Sequence, residues 1–254
     1  MSHPDLELAL ELADVADGIS LARYRAHDLV IETKPDRTPV TEADKAVEVA
    51  LRDVLAGERP GHAVLGEEDG VSGDPDSPWR WIIDPIDGTA NYLRGIPVWA
   101  TLIALEHAGE MVVGVVSAPA MGHRWWASRG DGAFADGQPI RVSNVAAIED
   151  AQLSSDGFDS WERHGGSDAF MALVRRCWRT RGFGDFWQHM LVAEGAVDIV
   201  LEPAVSLWDL AAIQIIVEEA GGRFTDLTGA PRADGGTACS TNGLLHQAVL
   251  DALA

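Results

Sequence analysis

A short apolar run that ends in two carboxylates constrains the fold of this chain more than any other stretch. Residues 81–83 (Trp-Ile-Ile) favour a buried β-strand, and Pro85 is expected to stop the hydrogen-bond ladder because it has no N–H to donate. Asp84 and Asp87 then lie close together on a tight bend, where they can share one cation or bracket two. An aspartate-rich turn that caps a helix explains the same residues, so this stretch alone leaves both interpretations open.

The two residues after these carboxylates add a different kind of donor. Gly88 and Thr89 are predicted to start a short helix that continues to Leu93. A glycine at a helix start lets backbone N–H groups approach an anion closely. The stretch therefore combines carboxylates for a metal ion with N–H donors for a phosphate group.

The charge of the chain limits the partners that it can attract. With 19 Lys and Arg residues against 40 Asp and Glu residues, the net charge is −21, so attraction to nucleic acid or to an anionic membrane is not expected. A phosphate ester would be repelled as well unless bound cations reversed the local field. The charge therefore favours a small-molecule ligand, and any phosphate chemistry calls for a metal ion.

The sequence also carries few signs of a membrane or of an oxidising compartment. No run of about 18 apolar residues predicts a membrane span. The N-terminal residues 1–7 have neither the basic nor the apolar region of a signal peptide. Cys177 and Cys239 form no CxxC pair, which fits a reducing environment. We therefore expect a cytoplasmic protein.

Helical and strand-like segments are interleaved along the chain, whose 254 residues suffice for one large domain or two small ones. Apolar periodicity predicts helices over residues 6–24, 41–55, 168–178, 186–195 and 206–220, and a terminal helix through Leu250. Strands are predicted at residues 63–65, 81–83, 98–106, 111–117, 125–127, 140–142 and 197–201, and around Phe224 and Cys239, with a surface loop at 70–77. Four strands in succession favour an antiparallel sheet in the first half. The interleaving favours an α/β or α+β class.

Three further acids have a structural and a functional interpretation. Asp44 follows Thr41, and Asp209 follows Ser206, at the spacing of a helix capping box. The acidic run 67–69 after a predicted strand is typical of a solvated loop. The functional alternative is that these acids join the two carboxylates of the central strand around one active site.

The chemistry that such a set of acids supports is metal-assisted hydrolysis. Carboxylates and a backbone carbonyl suit Mg²⁺, which takes oxygen ligands at about 2.0–2.1 Å, whereas no cluster of His and Cys indicates zinc. Two Mg²⁺ ions about 3.5–4 Å apart can hold a phosphate ester and lower the pKa of a bound water. The sequence has no GxxxxGK[ST] loop, GxSxG elbow or C-x₅-R loop, so a water nucleophile is favoured over a covalent one.

Four segments together resemble a known family. They are Lys34-x-Asp36-x-Thr38-x-Val40-Thr41-x-x-Asp44, Gly66-Glu67-Glu68, Asp84-Pro85-Ile86-Asp87-Gly88-Thr89 and Trp208-Asp209-Leu210-Ala211-Ala212. In this order they are similar to the motifs of the inositol monophosphatase family, over most of the chain. The resemblance implies an α+β fold layered α-β-α-β-α and a Mg²⁺-dependent, lithium-sensitive phosphatase that is commonly a homodimer. It further implies a single phosphatase domain over 1–254, with an N-terminal half to about 145 and a C-terminal half from about 146.

The resemblance also assigns roles to individual residues. Glu67, Asp84 and the Ile86 carbonyl would hold a first Mg²⁺, and Asp84, Asp87 and Asp209 a second. By the same resemblance Glu67 would also reach a third ion through water, which gives two or three ions per site. Catalytic roles fall to Asp44, Glu67 and Thr89, of which Asp44 and Thr89 would orient the attacking water while the Gly88 and Thr89 amides receive phosphate. The implied substrate contacts are Glu67, Ile86, Asp87, Gly88, Thr89, Arg181, Asp185, Glu202 and Asp209.

One segment departs from the family pattern. Where inositol-hydrolysing members carry Gly-Ser/Thr-Ala, this chain has Gly184-Asp185-Phe186-Trp187. Asp185 and Glu202 would place two acids beside the alcohol part of the substrate, and the two aromatic rings can lie against a flat ring or a cation. This variant resembles the histidinol-phosphate phosphatase branch found in actinobacteria. It implies L-histidinol phosphate as the substrate, because that ester carries an ammonium group and an imidazole.

Alternatives remain open at this point. Asp185 can be a loop cap, Trp187 a core or dimer contact, and Arg181 a partner of a surface acid. The second function is a broad inositol-phosphate or sugar-phosphate phosphatase, and a third is a non-catalytic regulator. Residues 32–39 are the predicted lid, because the segment is polar and rich in proline.

Overall fold

A computed structural model describes residues 3–34 and 38–254, and the predicted motif position Asp36 lies outside them. The helices are α1 (Pro4–Arg23), α2 (Glu42–Glu58), α3 (Thr89–Arg94), α4 (Phe158–His164), α5 (Ser167–Arg176), α6 (Asp185–Ala193), α7 (Leu207–Glu219) and α8 (His246–Leu253). The strands are β1 (Ile31–Thr33), β2 (Pro39–Thr41), β3 (Ala63–Gly66), β4 (Gly70–Ser72), β5 (Trp79–Asp87), β6 (Ala100–His107), β7 (Glu110–Ala118), β8 (His123–Ser128), β9 (Gly132–Ala135), β10 (Gln138–Pro139), β11 (Gln152–Ser155), β12 (Arg179–Thr180), β13 (Ile199–Glu202), β14 (Arg223–Thr225) and β15 (Ala238–Thr241).

The strands form two large sheets and one hairpin. The larger sheet has the order β10-β9-β8-β7-β6-β5-β3-β4 and is antiparallel except where β3 runs parallel to β5. The smaller sheet has the order β12-β11-β13-β15-β14, and β11 is parallel to both of its neighbours. Strands β1 and β2 pair only with each other. The antiparallel run predicted for the first half is confirmed.

Helices cover both faces of each large sheet. One apolar cluster joins α1 and α2 to the outer face of the larger sheet. A second joins the inner face of that sheet to α6 and α7, and these to the smaller sheet. A third packs α4, α5 and α8 on the far face of the smaller sheet. The layering is therefore α-β-α-β-α, as the family resemblance implies, and helices α6 and α7 form the middle layer.

The structure corrects three local predictions. The central strand does not stop at Pro85 but continues to Asp87, with an irregular register between Asp84 and Asp87. Pro85 is accommodated because its carbonyl accepts a hydrogen bond from the Thr101 hydroxyl at 2.8 Å, inside this irregularity. The predicted loop at 70–77 begins with the edge strand β4. The predicted strand at 140–142 is absent, because the turn at 136–137 is instead closed by β9 and β10.

Within the described residues, no helix has both the length and the apolar character that crossing a bilayer requires.

Candidate active site

The predicted metal ligands come from the ends of two neighbouring strands and the start of one helix. Glu67 follows β3, Asp84 and Asp87 lie at the end of β5, and Asp209 lies in the first turn of α7. Because β3 and β5 are parallel neighbours, their carboxyl ends meet at one edge of the sheet. Carboxylate oxygens of Asp84, Asp87 and Asp209 lie within 4.8 Å of one another.

These three carboxylates repel each other in a place with little water. Burial, followed by the charges of neighbouring acids, raises the pKa of Asp84 and of Asp87 well above the usual value. Burial also raises the pKa of Asp209 to about 7. Such a cluster is electrostatically unfavourable by itself, and a bound cation would relieve it.

The capping interpretation and the functional interpretation hold together at both helix starts. The Ser206 amide donates to Asp209 Oδ2 at 2.9 Å, and the Thr41 amide donates to Asp44 Oδ2 at the same distance. The second oxygen of Asp44 lies within reach of the Thr89 hydroxyl. Capping therefore fixes the orientation of Asp44 and Asp209 beside the cluster rather than competing with a role there.

Thr89 links Asp44 to the end of the central strand. Its hydroxyl lies 3.2 Å from Asp44 Oδ1 and 2.9 Å from the Ile86 carbonyl oxygen. Asp44 is fully buried, and burial raises the pKa of its carboxyl group. Asp44 and Thr89 thus form one hydrogen-bonded unit at the edge of the metal-ligand cluster.

A lysine of the β1–β2 hairpin holds the Glu67 side chain. The Lys34 ammonium group donates to Glu67 Oε1 at 2.7 Å and to Glu68 Oε1 at 2.8 Å. Burial raises the pKa of Glu68 to about 7, although the bond from Lys34 opposes the shift. The β1–β2 hairpin, which carries Lys34, is thereby attached to the acidic turn after β3.

A buried glutamate that the sequence analysis missed holds the backbone of the same turn. Glu48, in α2, is fully buried and accepts the amides of Glu68 and Asp69 at 2.8 and 2.9 Å. The Arg52 guanidinium donates to Glu48 Oε1 at 2.7 Å. A Cβ atom at Gly66 would lie 2.2 Å from Glu48 Oε1, so only glycine fits there. We call Glu48 and Arg52 the clamp.

Gly88 permits a close approach between the central strand and α6. Its φ of +80° lies in the left-handed region, and a Cβ atom there would lie 3.0 Å from the Val98 carbonyl oxygen and 3.3 Å from Asp185 Oδ2. The Phe186 amide donates to Asp87 Oδ2 at 2.7 Å. The start of α6 is therefore held directly against the metal-ligand cluster.

Two adjoining cavities share this region. The outer cup has a volume of about 210 Å³ and is lined by Thr38, Pro39, Glu67, Asp84, Ile86, Asp87, Gly88, Thr89, Ala90, Asp185 and Asp209. The inner chamber has a volume of about 140 Å³ and is lined by Asp87, Asp156, Asp185, Phe186, His189, Glu202, Ala204, Val205, Asp209 and Ile213. Asp87, Asp185 and Asp209 border both. A molecule anchored in the outer cup can therefore extend into the inner chamber.

Glu202 is fixed at the wall of the inner chamber by two neighbouring side chains. Gln188 Nε2 lies 2.9 Å from Glu202 Oε1, and His189 Nε2 lies 2.9 Å from Glu202 Oε2. The Ser240 hydroxyl lies 2.8 Å from His189 Nδ1. His189 therefore bridges Glu202 and Ser240.

Asp185 is held where the two cavities meet. Its Oδ2 accepts a hydrogen bond from Asn91 Nδ2 at 2.6 Å, and its φ of +46° is unusual for a residue other than glycine. Burial, followed by the charge of Glu202, raises the pKa of Asp185 to about 6. Asp156, which sequence reasoning missed, has its pKa raised to about 7 by burial and then by Glu202 and Asp185.

Of the aromatic and basic residues that the sequence analysis singled out, Phe186 lines the inner chamber, whereas Trp187 and Arg181 line neither cavity. Phe186 is buried in the core with its ring centroid 6.0 Å from that of Trp125. Trp187 packs edge-on against Phe183 at 5.5 Å and lines neither cavity. Arg181 is exposed, and its guanidinium donates to the Thr180 carbonyl at 2.7 Å. The structure thus brings Asp185 and Glu202 to the cavities but leaves Arg181 outside both linings.

Comparison with known proteins identifies related sequences along the whole chain. The profile described as "Inositol monophosphatase family" matches residues 1–254. A "Histidinol-phosphatase" of Mycobacterium tuberculosis is 55% identical over 258 residues, which cover 100% of this chain and 99% of the relative.

Solved structures give the same picture. An inositol monophosphatase from Zymomonas mobilis superposes with a TM-score of 0.87 at 32% identity, covering 98% of this chain and 97% of its own. An "IMPase/NADP phosphatase complexed with Mg2+ and phosphate" superposes with a TM-score of 0.85 at 25% identity, covering 97% and 93%.

Proposed function

The chain belongs to the inositol monophosphatase family, and from this premise we propose that it hydrolyses L-histidinol phosphate to L-histidinol and phosphate. The observation that carries the choice of substrate is the inner chamber, where Asp156, Asp185 and Glu202 adjoin the metal-ligand cluster. Carboxylates in that position suit an alcohol that carries positive charge. The similar protein from M. tuberculosis bears the name of this activity.

The chain's own donor set fits Mg²⁺. Glu67, Asp84, Asp87 and Asp209 supply carboxylate oxygens and Ile86 a carbonyl oxygen, all of which are hard ligands that Mg²⁺ prefers. Burial and neighbouring acids raise the pKa values of Asp84 and Asp87, and a bound cation would lower them. We propose two or three ions per site. When bound, they supply charge neutralisation for the phosphate and a lower pKa for the attacking water.

The protein's own groups orient the reactants. Asp44 accepts a hydrogen bond from the Thr89 hydroxyl, which leaves the Thr89 oxygen able to accept a hydrogen bond from the attacking water and so to orient it. We propose that the Gly88 and Thr89 amides donate hydrogen bonds to the phosphate group. Glu67 is the third proposed catalytic residue. It lies in the turn after β3, whose backbone the clamp holds.

The test of the substrate is a comparison of esters at one Mg²⁺ concentration. We expect kcat/KM for L-histidinol phosphate to exceed the values for inositol 1-phosphate, fructose 1,6-bisphosphate and adenosine 3′,5′-bisphosphate. A higher value for inositol 1-phosphate would overturn the assignment and favour the broad phosphatase.

Asp185 gives a second test of the same proposal. Asp185→Asn should lose about 10-fold or more on L-histidinol phosphate, because a charge-assisted hydrogen bond to the ammonium group is weakened. The loss on a neutral ester should be smaller. Equal losses on both esters would remove the argument that the chamber recognises a cation.

Wider properties of the protein belong to the same proposal. We propose that residues 1–254 act as one phosphatase domain, since α7 packs on strands of both large sheets. We further propose that the protein is cytoplasmic and forms a homodimer, and light scattering of the purified protein tests the dimer. We also propose that Arg181 contacts the substrate. The predicted lid at 32–39 includes residues 35–37, which lie outside the described residues. We propose that the segment closes over the outer cup, so hydrogen exchange there should slow when Mg²⁺ and phosphate bind.

A further inference from the structure

Three of the acids that line the inner chamber are not predicted metal ligands: Asp156, Asp185 and Glu202. They differ in how many hydrogen-bond acceptor positions they have left. Glu202 is buried, and both of its oxygens are already engaged, one by Gln188 and one by His189. Asp185 receives a short bond from Asn91 at 2.6 Å on Oδ2. A carboxylate offers about four acceptor positions, so the number already filled decides which acid can bind a ligand most freely.

Asp156 receives the longest hydrogen bond of the three. Its Oδ1 accepts from Gln188 Nε2 at 3.3 Å, and that nitrogen also donates to Glu202 at 2.9 Å. The Asp156 carboxyl group also interacts with that of Glu202. Asp156 follows β11 of the smaller sheet and lines the chamber. It borders the inner chamber but not the outer cup, whereas Asp185 borders both.

This order along the cavity matches the order of groups in a phosphate ester of an amino alcohol with a ring. In L-histidinol phosphate the ammonium group is on the carbon next to the ester CH₂, and the imidazole is one carbon further away. With phosphate in the outer cup, the ammonium group would meet Asp185 first, and the ring would continue into the chamber.

We propose that Asp156 is a specificity-determining residue that accepts a hydrogen bond from the ring N–H of the leaving alcohol, while Asp185 faces its ammonium group. His189 acts as a positioning residue, because it holds Glu202 in place from a fully enclosed position between Ser240 and the chamber. This inference rests on the proposed function and divides its substrate contacts between two carboxylates.

The experiment separates the two ends of the alcohol. Three esters are compared: L-histidinol phosphate, 3-(imidazol-4-yl)propyl phosphate, which lacks the ammonium group, and 2-aminoethyl phosphate, which lacks the ring. Asp156→Asn should lower kcat/KM about 10- to 100-fold on the two esters with a ring and only a few-fold on 2-aminoethyl phosphate. Asp185→Asn should show the reverse order, with its larger loss on the two esters with an ammonium group.

Controls separate this role from a loss of folding. Asp53→Asn makes the same change in charge on the exposed face of α2 and should leave all three activities unchanged. Calorimetry with the product L-histidinol should show weaker binding to Asp156→Asn, with unchanged affinity for Mg²⁺. If Asp156→Asn does not fold, Asp156→Ser removes the charge with a smaller side chain, and Asp156→Glu should restore part of the preference for a ring.

Two outcomes overturn different statements. If the wild-type protein prefers inositol 1-phosphate to L-histidinol phosphate, the proposed function fails. If it prefers L-histidinol phosphate but Asp156→Asn loses equally on the esters with and without a ring, the proposed function stands and the role of Asp156 fails.

Discussion

The outer cup and the inner chamber are both lined by acids, but the carboxylate groups are arranged differently in the two cavities. In the outer cup, Asp84, Asp87 and Asp209 turn their oxygens towards one another within 4.8 Å. In the inner chamber, Glu202 is held by the side chains of Gln188 and His189. The first arrangement brings several carboxylates close to one another, and the second leaves a carboxylate whose two oxygens are each held by a neighbouring side chain.

The difference indicates the kind of cation that each cavity accepts. Carboxylate oxygens that converge within 4.8 Å of one another suit a small, hard ion with a compact charge, such as Mg²⁺. Carboxylates spaced along a chamber and held by side-chain donors suit an organic cation, whose N–H groups point in set directions. A phosphate ester of a cationic alcohol would use both cavities at once.

The largest loss of activity is expected from a substitution in the outer cup. Asp84→Asn removes a metal ligand, so activity should fall at least about 100- to 1,000-fold on every phosphate ester. The same change removes a repelled buried charge, so the metal-free variant should unfold at a higher temperature than the metal-free wild type. Steady-state assays and thermal unfolding in a chelator check both expectations. Retained turnover with unchanged dependence on Mg²⁺ would contradict the assignment.

The next effect is the pH dependence of the metal-free protein. The pKa values of Asp209 and Asp156 are raised to about 7, and that of Asp185 to about 6, from a usual value of 3.8. Between about pH 4 and 7 the folded protein therefore binds more protons than the unfolded chain. The stabilisation is complete below pH 4 and is lost as the pH rises through the folded-state values.

This prediction is checked by thermal unfolding at pH 5 and pH 7.5 in a chelator. The unfolding temperature should be lower at pH 7.5, by roughly 5 °C for a loss of a few kcal/mol. Mg²⁺ should recover most of the loss in the wild type but little in Asp84→Asn. An unfolding temperature that is constant between the two pH values would show that the acids are not repelled in the folded state.

Much of the outer cup follows from the sequence, because local rules and motifs converge there. The capping spacing of Thr41 with Asp44 predicts both the helix start and the position of the acid. The apolar run 81–83 predicts the strand that carries Asp84 and Asp87 to the site. The continuation of that strand past Pro85 depends on a hydroxyl group from Thr101, a contact between strands that no local pattern encodes.

The inner chamber is much harder to predict from the sequence. A polar residue such as His189 on a helix is expected to face solvent, and its burial depends on Ser240 and Glu202, which come from other elements. Asp156 follows a strand that the sequence analysis did not predict. Glu48 had a usable signal, since it lies in the buried stripe of α2 with Leu51 and Leu55.

A smaller effect tests whether the outer cup needs support from behind. Glu48→Gln keeps the size of the side chain but places an N–H₂ group among the amides of Glu68 and Asp69 and the Arg52 guanidinium. The free energy of unfolding should fall by about 1–3 kcal/mol. Because the turn that carries Glu67 loosens, half-maximal activity should need several-fold more Mg²⁺, while KM for the ester changes less.

The matched control for the clamp is Glu58→Gln, at the exposed end of the same helix. It should change neither stability nor the dependence on Mg²⁺. Calorimetry with Mn²⁺ in the absence of ester gives a readout that does not depend on turnover. If Glu48→Gln destabilises the protein but binds Mn²⁺ as tightly as the wild type, the clamp supports the fold and not the cup.

The smallest change is expected from a substitution at the wall of the inner chamber, and it tests whether the two cavities act separately. His189→Phe keeps a flat ring in the core but leaves Glu202 Oε2 and the Ser240 hydroxyl without their partner. Glu202 should become less ordered, so KM for L-histidinol phosphate should rise roughly 3- to 10-fold, the equivalent of about 1 kcal/mol. His189→Gln, which can still donate to Glu202, should restore part of the affinity.

The half-saturating Mg²⁺ concentration should stay as in the wild type, because His189 touches none of the metal ligands. A parallel change in KM and in Mg²⁺ dependence would mean that the two cavities act as one acidic site, and the comparison drawn between them would fail.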